Sequence, residues 1–142
     1  MLLVKTKLAP SPIEGIGLFL DEDVESGTVI WEYHAGIDLV LEASVFPTLS
    51  AEAGRQVRKY SYLDPVLDKW VLCGDDARFF NHSDFPSCSE SGVGLTGVTV
   101  AARRLLRGEE LTTDYRRITA EKLSYVADES CAIEGTDATL SP

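Results

Sequence analysis

The feature that most limits this chain is its punctuation. Glycine and turn signals recur so often that no periodic stretch is long. Ile13 to Leu20 reads as a glycine-marked turn, Gly15-Ile16-Gly17, running into a strand. Asp21 to Gly27 is acidic and closes on Ser26-Gly27, a turn signal. Thr28 to Tyr33 is β-branched and aromatic, so it reads as a strand. Lys69 to Cys73, Leu95 to Ala101 and Leu111 to Tyr115 read the same way, the last after a turn at Arg107-Gly108-Glu109. One helix is predicted from Ser50, an N-cap with Glu52 in the first turn, through Ala53, Val57 and Tyr60 at helical spacing. Pro65 bounds it. Strands do not alternate with helices, which excludes a doubly wound parallel sheet and leaves a mainly β architecture with one or two short helices. A faint internal echo accompanies this. Val24, Gly27 and Ile30 repeat the spacing of Leu105, Gly108 and Leu111, each a turn feeding a strand.

Size and charge narrow the possibilities further. The 142 residues suit one domain, and 44% hydrophobic with 25% charged residues is a globular balance. Thirteen Lys and Arg against 23 Asp and Glu give a net charge of -10. Such a surface repels phosphate backbones, which argues against nucleic acid, and attracts cationic ligands such as lysine-rich protein segments. No apolar run approaches a membrane span, and Met1 to Lys5 does not open a signal peptide. Cys73, Cys88 and Cys131 are odd in number and widely spaced, so neither a disulfide framework nor a cysteine-rich metal site is expected. A reducing, cytoplasmic location follows as the expectation.

Three blocks carry polar chemistry. Gly15-Ile16-Gly17 lacks the third glycine of a dinucleotide fingerprint, since Leu20 holds that position; what remains is a turn where backbone can approach a ligand closely. Arg78-Phe79-Phe80-Asn81-His82-Ser83-Asp84 is the densest polar and aromatic run. Its adjacent Ser, His and Asp cannot form a hydrolytic relay, because neighbouring side chains in an extended segment point to opposite faces. His34 and His82 are the only histidines, and neither has a partner at metal-ligand spacing, so no metal site is expected. Gly108-Glu109-Glu110-Leu111-Thr112-Thr113-Asp114-Tyr115 ends on a tyrosine whose hydroxyl could orient a substrate.

Taken in order, these blocks resemble the SET-domain protein-lysine methyltransferases. Gly-x-Gly-x-Phe, Arg-Phe-Phe-Asn-His-Ser and Gly-Glu-Glu-Leu-Thr-x-Asp-Tyr follow one another at domain scale. The flanking Ile30-Trp31-Glu32-Tyr33, Ser61-Tyr62-Leu63 and Ala102-Arg103-Arg104 agree. The resemblance implies a small, free-standing SET-type β-clip fold over residues 1–117, with a C-terminal pseudoknot bringing the Asn-His motif beside the last tyrosine. It implies S-adenosylmethionine as cofactor and a basic protein or peptide presenting a lysine as partner. Mapped residue by residue, Gly15, Ile16, Gly17, Tyr62, Arg78, Phe79, Asn81 and His82 would line the cofactor pocket. Tyr115 would be the catalytic tyrosine, with Thr113 beside it in the substrate channel.

Departures from the family pattern matter too. After Asn81-His82-Ser83 the chain reads Asp84-Phe85-Pro86-Ser87, where many relatives place a cysteine that helps bind zinc in a closing lid. Thr113 stands where an aromatic is usual. Residues 118–142, helical at first and then loose, or a second subunit of a homodimer, are the candidates for closing the site. The alternative reading is a SET-like module that binds cofactor or a cationic peptide without turnover.

Overall fold

The computed structural model describes residues 1–118. Its elements, in order, are β1 (Thr6–Pro10), β2 (Ile16–Leu20), β3 (Val29–Glu32), β4 (Leu39–Leu41), α1 (Ala51–Tyr60), β5 (Ser61–Asp64) and β6 (Lys69–Leu72). There follow β7 (Asn81–His82), β8 (Cys88–Ser91), β9 (Val98–Ala101), β10 (Thr112–Thr113) and a single helical turn, α2 (Tyr115–Ile118). Strands this short form small sheets. β1 pairs with β2, β3-β9-β8 and β4-β6-β5 make two three-stranded antiparallel sheets, and β7 pairs with β10 in parallel. This is the mainly β, SET-type arrangement expected. The tail from 119 onward, including Tyr125, Cys131 and the expected lid, lies outside the described residues.

The helix begins where its cap dictates. Ser50 Oγ accepts the Ala53 N–H at 3.2 Å, and the Glu52 carboxylate meets Arg55 at 2.7 Å within the first turn. Arg58 lies over Phe46, its guanidinium carbon 4.0 Å from the ring centroid, and Phe46 packs edge-on against Trp70 of β6. These contacts dock α1 on the β4-β6-β5 sheet.

Two predicted strands are shorter than their sequence suggests. Leu95 falls in a 3-10 turn, Gly94–Thr96, and the strand starts only at Val98. The reason is the glycine loop before it. Gly92 and Gly94 hold φ of 92° and 58°, and a side chain on Gly92 would sit 3.0 Å from the Gly97 Cα. The last predicted strand keeps only Thr112 and Thr113 before the chain coils into α2 at Tyr115.

The internal echo is structural. Val24 and Leu105 form a two-bond antiparallel bridge, each N–H reaching the other's carbonyl at 2.9 Å. Gly27 N–H donates to Ala101 O at 2.8 Å, and Gly108 N–H donates to Leu20 O at 2.8 Å. Each bond of one unit therefore has its counterpart in the other. Both glycines carry positive φ, 82° and 92°, so both turns need a residue without a Cβ penalty. The echoed apolar residues Val24, Ile30, Leu105 and Leu111 meet in the main core with Leu18, Leu20, Cys88 and Ala101. A second cluster of Trp31, Cys73 and Ala77 gathers Tyr33, Tyr62 and Phe80 around it. Phe80 touches both clusters, so the Arg78–His82 run is anchored between them.

Candidate active site

The three blocks, far apart in sequence, converge through β2, β7 and β10. Their junction is Glu110. Asn81 Nδ2 donates to Glu110 Oε1 at 2.8 Å and to the Glu14 carbonyl at 3.1 Å. Ser11 Oγ donates to Glu110 Oε2 at 3.0 Å. Gly17 lets Glu110 close over its Cα, since a Cβ there would fall 2.2 Å from Glu110 Oε1 and push the carboxylate away. Thus the glycine turn, the Asn-His run and the Gly-Glu-Glu run share one carboxylate. Sequence reading passed over Glu110 and Ser11. The only signal for Glu110 was its place within the third block.

Tyr115 is fixed by two hydrogen bonds to the Asn-His run. Its backbone N–H donates to His82 Nδ1 at 3.2 Å, and its phenol donates to the Phe80 carbonyl at 2.5 Å. Because Nδ1 accepts that N–H, it carries the lone pair, and the 3.9 Å approach of Asp114 to the same nitrogen is not a hydrogen bond. The neutral ring's proton then sits on Nε2, 3.6 Å from Asp84 Oδ1. The parallel register Thr112↔Asn81 and Thr113↔His82 makes this possible, extended by Ser83 N–H donating to Thr113 O at 3.0 Å.

The remaining predicted residues fall into separate places. Arg78 and Phe79 line a cleft of about 330 Å³ with Gln56, Val57, Tyr60 and Leu72, between α1, β6 and the 3-10 turn Asp76–Phe79. Tyr60 meets Phe79 edge-on at 5.6 Å. Gly15 on the turn and Ile16 at the start of β2 are both exposed, and β2 packs against that 3-10 turn. Tyr62 does not line the cleft. It packs with Trp31, Cys73 and Phe80, the residue whose carbonyl accepts the Tyr115 phenol. Thr113 is 3% exposed, and its Oγ1 has no hydrogen-bond partner among the described residues.

Burial sets the protonation of this region. It pushes the Tyr115 phenol up to about 12, with the Glu14 carboxylate adding to the effect. Tyr62 is raised further, again by burial first. The thiols of Cys73 and Cys88 rise by burial to about 12 and about 11. All four groups are therefore neutral at physiological pH. Each holds its proton more tightly folded than unfolded, so the unfolded chain is first to ionise as pH rises. Stability is complete below the ordinary thiol value of 9.0 and is lost as pH climbs through about 11 and 12. Thermal melts taken across this range are expected to fall steeply above pH 9, while a flat profile from pH 9 to 12 would contradict the burial assigned to these groups.

Gly15 leaves backbone bare on an exposed turn, Gly17 is covered by Glu110, Asn81 offers an amide, and Glu14 and Glu110 bring negative charge, while Val57, Tyr60, Leu72 and Phe79 make the separate cleft partly apolar. The SET domain family model matches residues 15–116. The chain belongs to the SET-domain family. It is 31% identical over 113 residues to histone-lysine N-methyltransferase 2D of Homo sapiens, covering 77% of this chain and 2% of that protein. It is 33% identical over 112 residues to histone-lysine N-methyltransferase trithorax of Drosophila virilis, covering 75% and 3%. With histone-lysine N-methyltransferase 2B of Homo sapiens it is 34% identical over 113 residues, covering 75% and 4%. The chain therefore spans only a few per cent of these relatives' length. Among the described residues no helix is long and apolar enough to cross a membrane.

Proposed function

We propose that this protein transfers methyl groups from S-adenosylmethionine to a lysine side chain of a basic protein. The observation that carries the reading is the parallel β7–β10 pair, which sets the Tyr115 hydroxyl on the Phe80 carbonyl beside Asn81 and His82. The cofactor would supply a methyl group on a positively charged sulfur. Gly15, Gly17, Asn81 and Glu110 would hold its amino-acid end, and Arg78, Phe79 and the cleft would take its aromatic end.

The chain's own residues then handle the amine. Lysine has a pKa near about 10.4 in water, so it must arrive neutral. Desolvation between Tyr115, Phe80 and the buried Thr113 favours the neutral form. Tyr115 keeps its own proton, so it orients through its oxygen and does not act as a base. Alignment supplies much of the rate.

Thr113 sets the room at the end of the channel in this reading, and wild type is expected to reach di- or trimethyllysine. Thr113→Val conserves volume and removes an unpaired buried hydroxyl, so it is expected to stabilise by about 1 kcal/mol with the product ladder unchanged. Thr113→Tyr should shift products toward monomethyllysine, at an overpacking cost of about 1–3 kcal/mol. Denaturant melts and mass spectrometry of one lysine peptide over time read both. A destabilised Thr113→Val, or identical ladders for Thr113→Tyr, would remove the residue from this role.

The decisive experiment incubates the protein with methyl-labelled S-adenosylmethionine and either histones, the substrate class named for the relatives, or the source proteome. Label on protein lysine is the expected result. Cofactor binding without any transfer would favour the non-catalytic module, and neither would overturn the reading.

A further inference from the structure

Glu110 is a carboxylate without a cation among the described residues. Both oxygens are held by neutral donors, Asn81 Nδ2 and Ser11 Oγ. Every ion pair among the described residues leaves it out, although its neighbour Glu109 takes Arg103 at 2.6 Å. The two donors need two acceptor atoms, of which a glutamine's amide oxygen would supply one, for Asn81, while its NH2 would face Ser11 Oγ. The negative charge itself is balanced by no cation among the described residues. It is half-buried against the Cα of Gly17, where its field is less screened than at an open surface. Glu14, whose carbonyl shares Asn81 and whose carboxylate acts on Tyr115, adds charge of the same sign nearby.

Resting on the cofactor reading above, we infer that Glu110 makes the site prefer the cationic methyl donor over its demethylated thioether product. S-adenosylmethionine carries one positive charge more than S-adenosylhomocysteine and otherwise differs by a methyl group. A fixed, unneutralised carboxylate attracts the first more than the second. The same difference loosens the product once the methyl group has left, so the charge favours both loading and release.

Calorimetric titration of each ligand into the full chain tests this without using turnover. Wild type should bind S-adenosylmethionine more tightly than S-adenosylhomocysteine. Glu110→Gln keeps the shape and an acceptor for Asn81, and is expected to reduce that preference by about tenfold. Glu110→Asp keeps the charge and should retain the preference, whatever happens to the two affinities together. Affinities that fall in parallel in Glu110→Gln, or do not move, overturn the inference and leave the cofactor reading standing, because a purely structural role changes both ligands alike. A wild type that binds neither ligand overturns the cofactor reading, and this inference with it. If Glu110→Gln does not fold, a wild-type salt series decides. The preference must shrink as salt rises, and a constant ratio overturns the assignment.

Discussion

Tyr115→Phe is expected to lower methyl transfer by about a hundredfold or more, with cofactor affinity and fold preserved. The substitution removes one oxygen. The Tyr115 N–H that donates to His82 Nδ1 is backbone and stays, and the ring keeps its place 5.4 Å from the His82 ring. What disappears is the phenol donating to the Phe80 carbonyl, a bond worth about 1 kcal/mol to stability. That small stability cost contrasts with the kinetic one, because a group that meets the transferring methyl chiefly in the transition state changes kcat more than binding. Turnover measured beside calorimetric cofactor binding separates the two. Unchanged turnover would take Tyr115 out of the chemistry.

The second large effect concerns a residue with no chemistry of its own. Gly74→Ala is expected to destabilise by about 3 kcal/mol or more and to weaken cofactor binding with it. A Cβ at position 74 would fall 1.9 Å from the Ile37 carbonyl oxygen, a backbone atom that cannot swing aside. The Gly74 N–H donates at 3.0 Å to Asp38 Oδ1, and Asp38 is 2% exposed. Asp38 also accepts the His34 N–H at 2.8 Å, so displacing Gly74 disturbs a buried carboxylate together with its bonds. Directly after Gly74 comes Asp75, which accepts from Leu2 N–H at 2.6 Å and caps the 3-10 turn through Ala77 N–H at 3.0 Å. That turn carries Arg78 and Phe79 into the cleft. Denaturant unfolding of Gly74→Ala beside wild type checks the prediction, and a loss below about 1 kcal/mol would mean the backbone contact is readily relieved.

Much of this protein was legible before any coordinates, and for a physical reason. Turn residues, caps and β-branched runs act over a few neighbours, so the Ser50 cap, the Gly27 and Gly108 turns and the strands around Ile30 and Val71 are properties of local sequence. The order and spacing of the three polar blocks, and the family they point to, are likewise local text. The charge balance, which favours a cationic partner, needs only counting. What tertiary structure decided is which distant groups meet. Nothing near position 110 in the chain says that its carboxylate would close against Gly17 and take Ser11 and Asn81. That depends on β10 running parallel to β7 and on the bridge from Phe19 to Glu110. Nor does the text around Gly74 reveal the Ile37 carbonyl that excludes a side chain there. Tyr62's packing against the Trp31 cluster is also a matter of how β5 and β6 pair and which face they bury. The Thr113 hydroxyl, without a partner among the described residues, is likewise invisible until the chain closes over it. Local rules select the elements, and only long-range closure selects the partners of each polar atom.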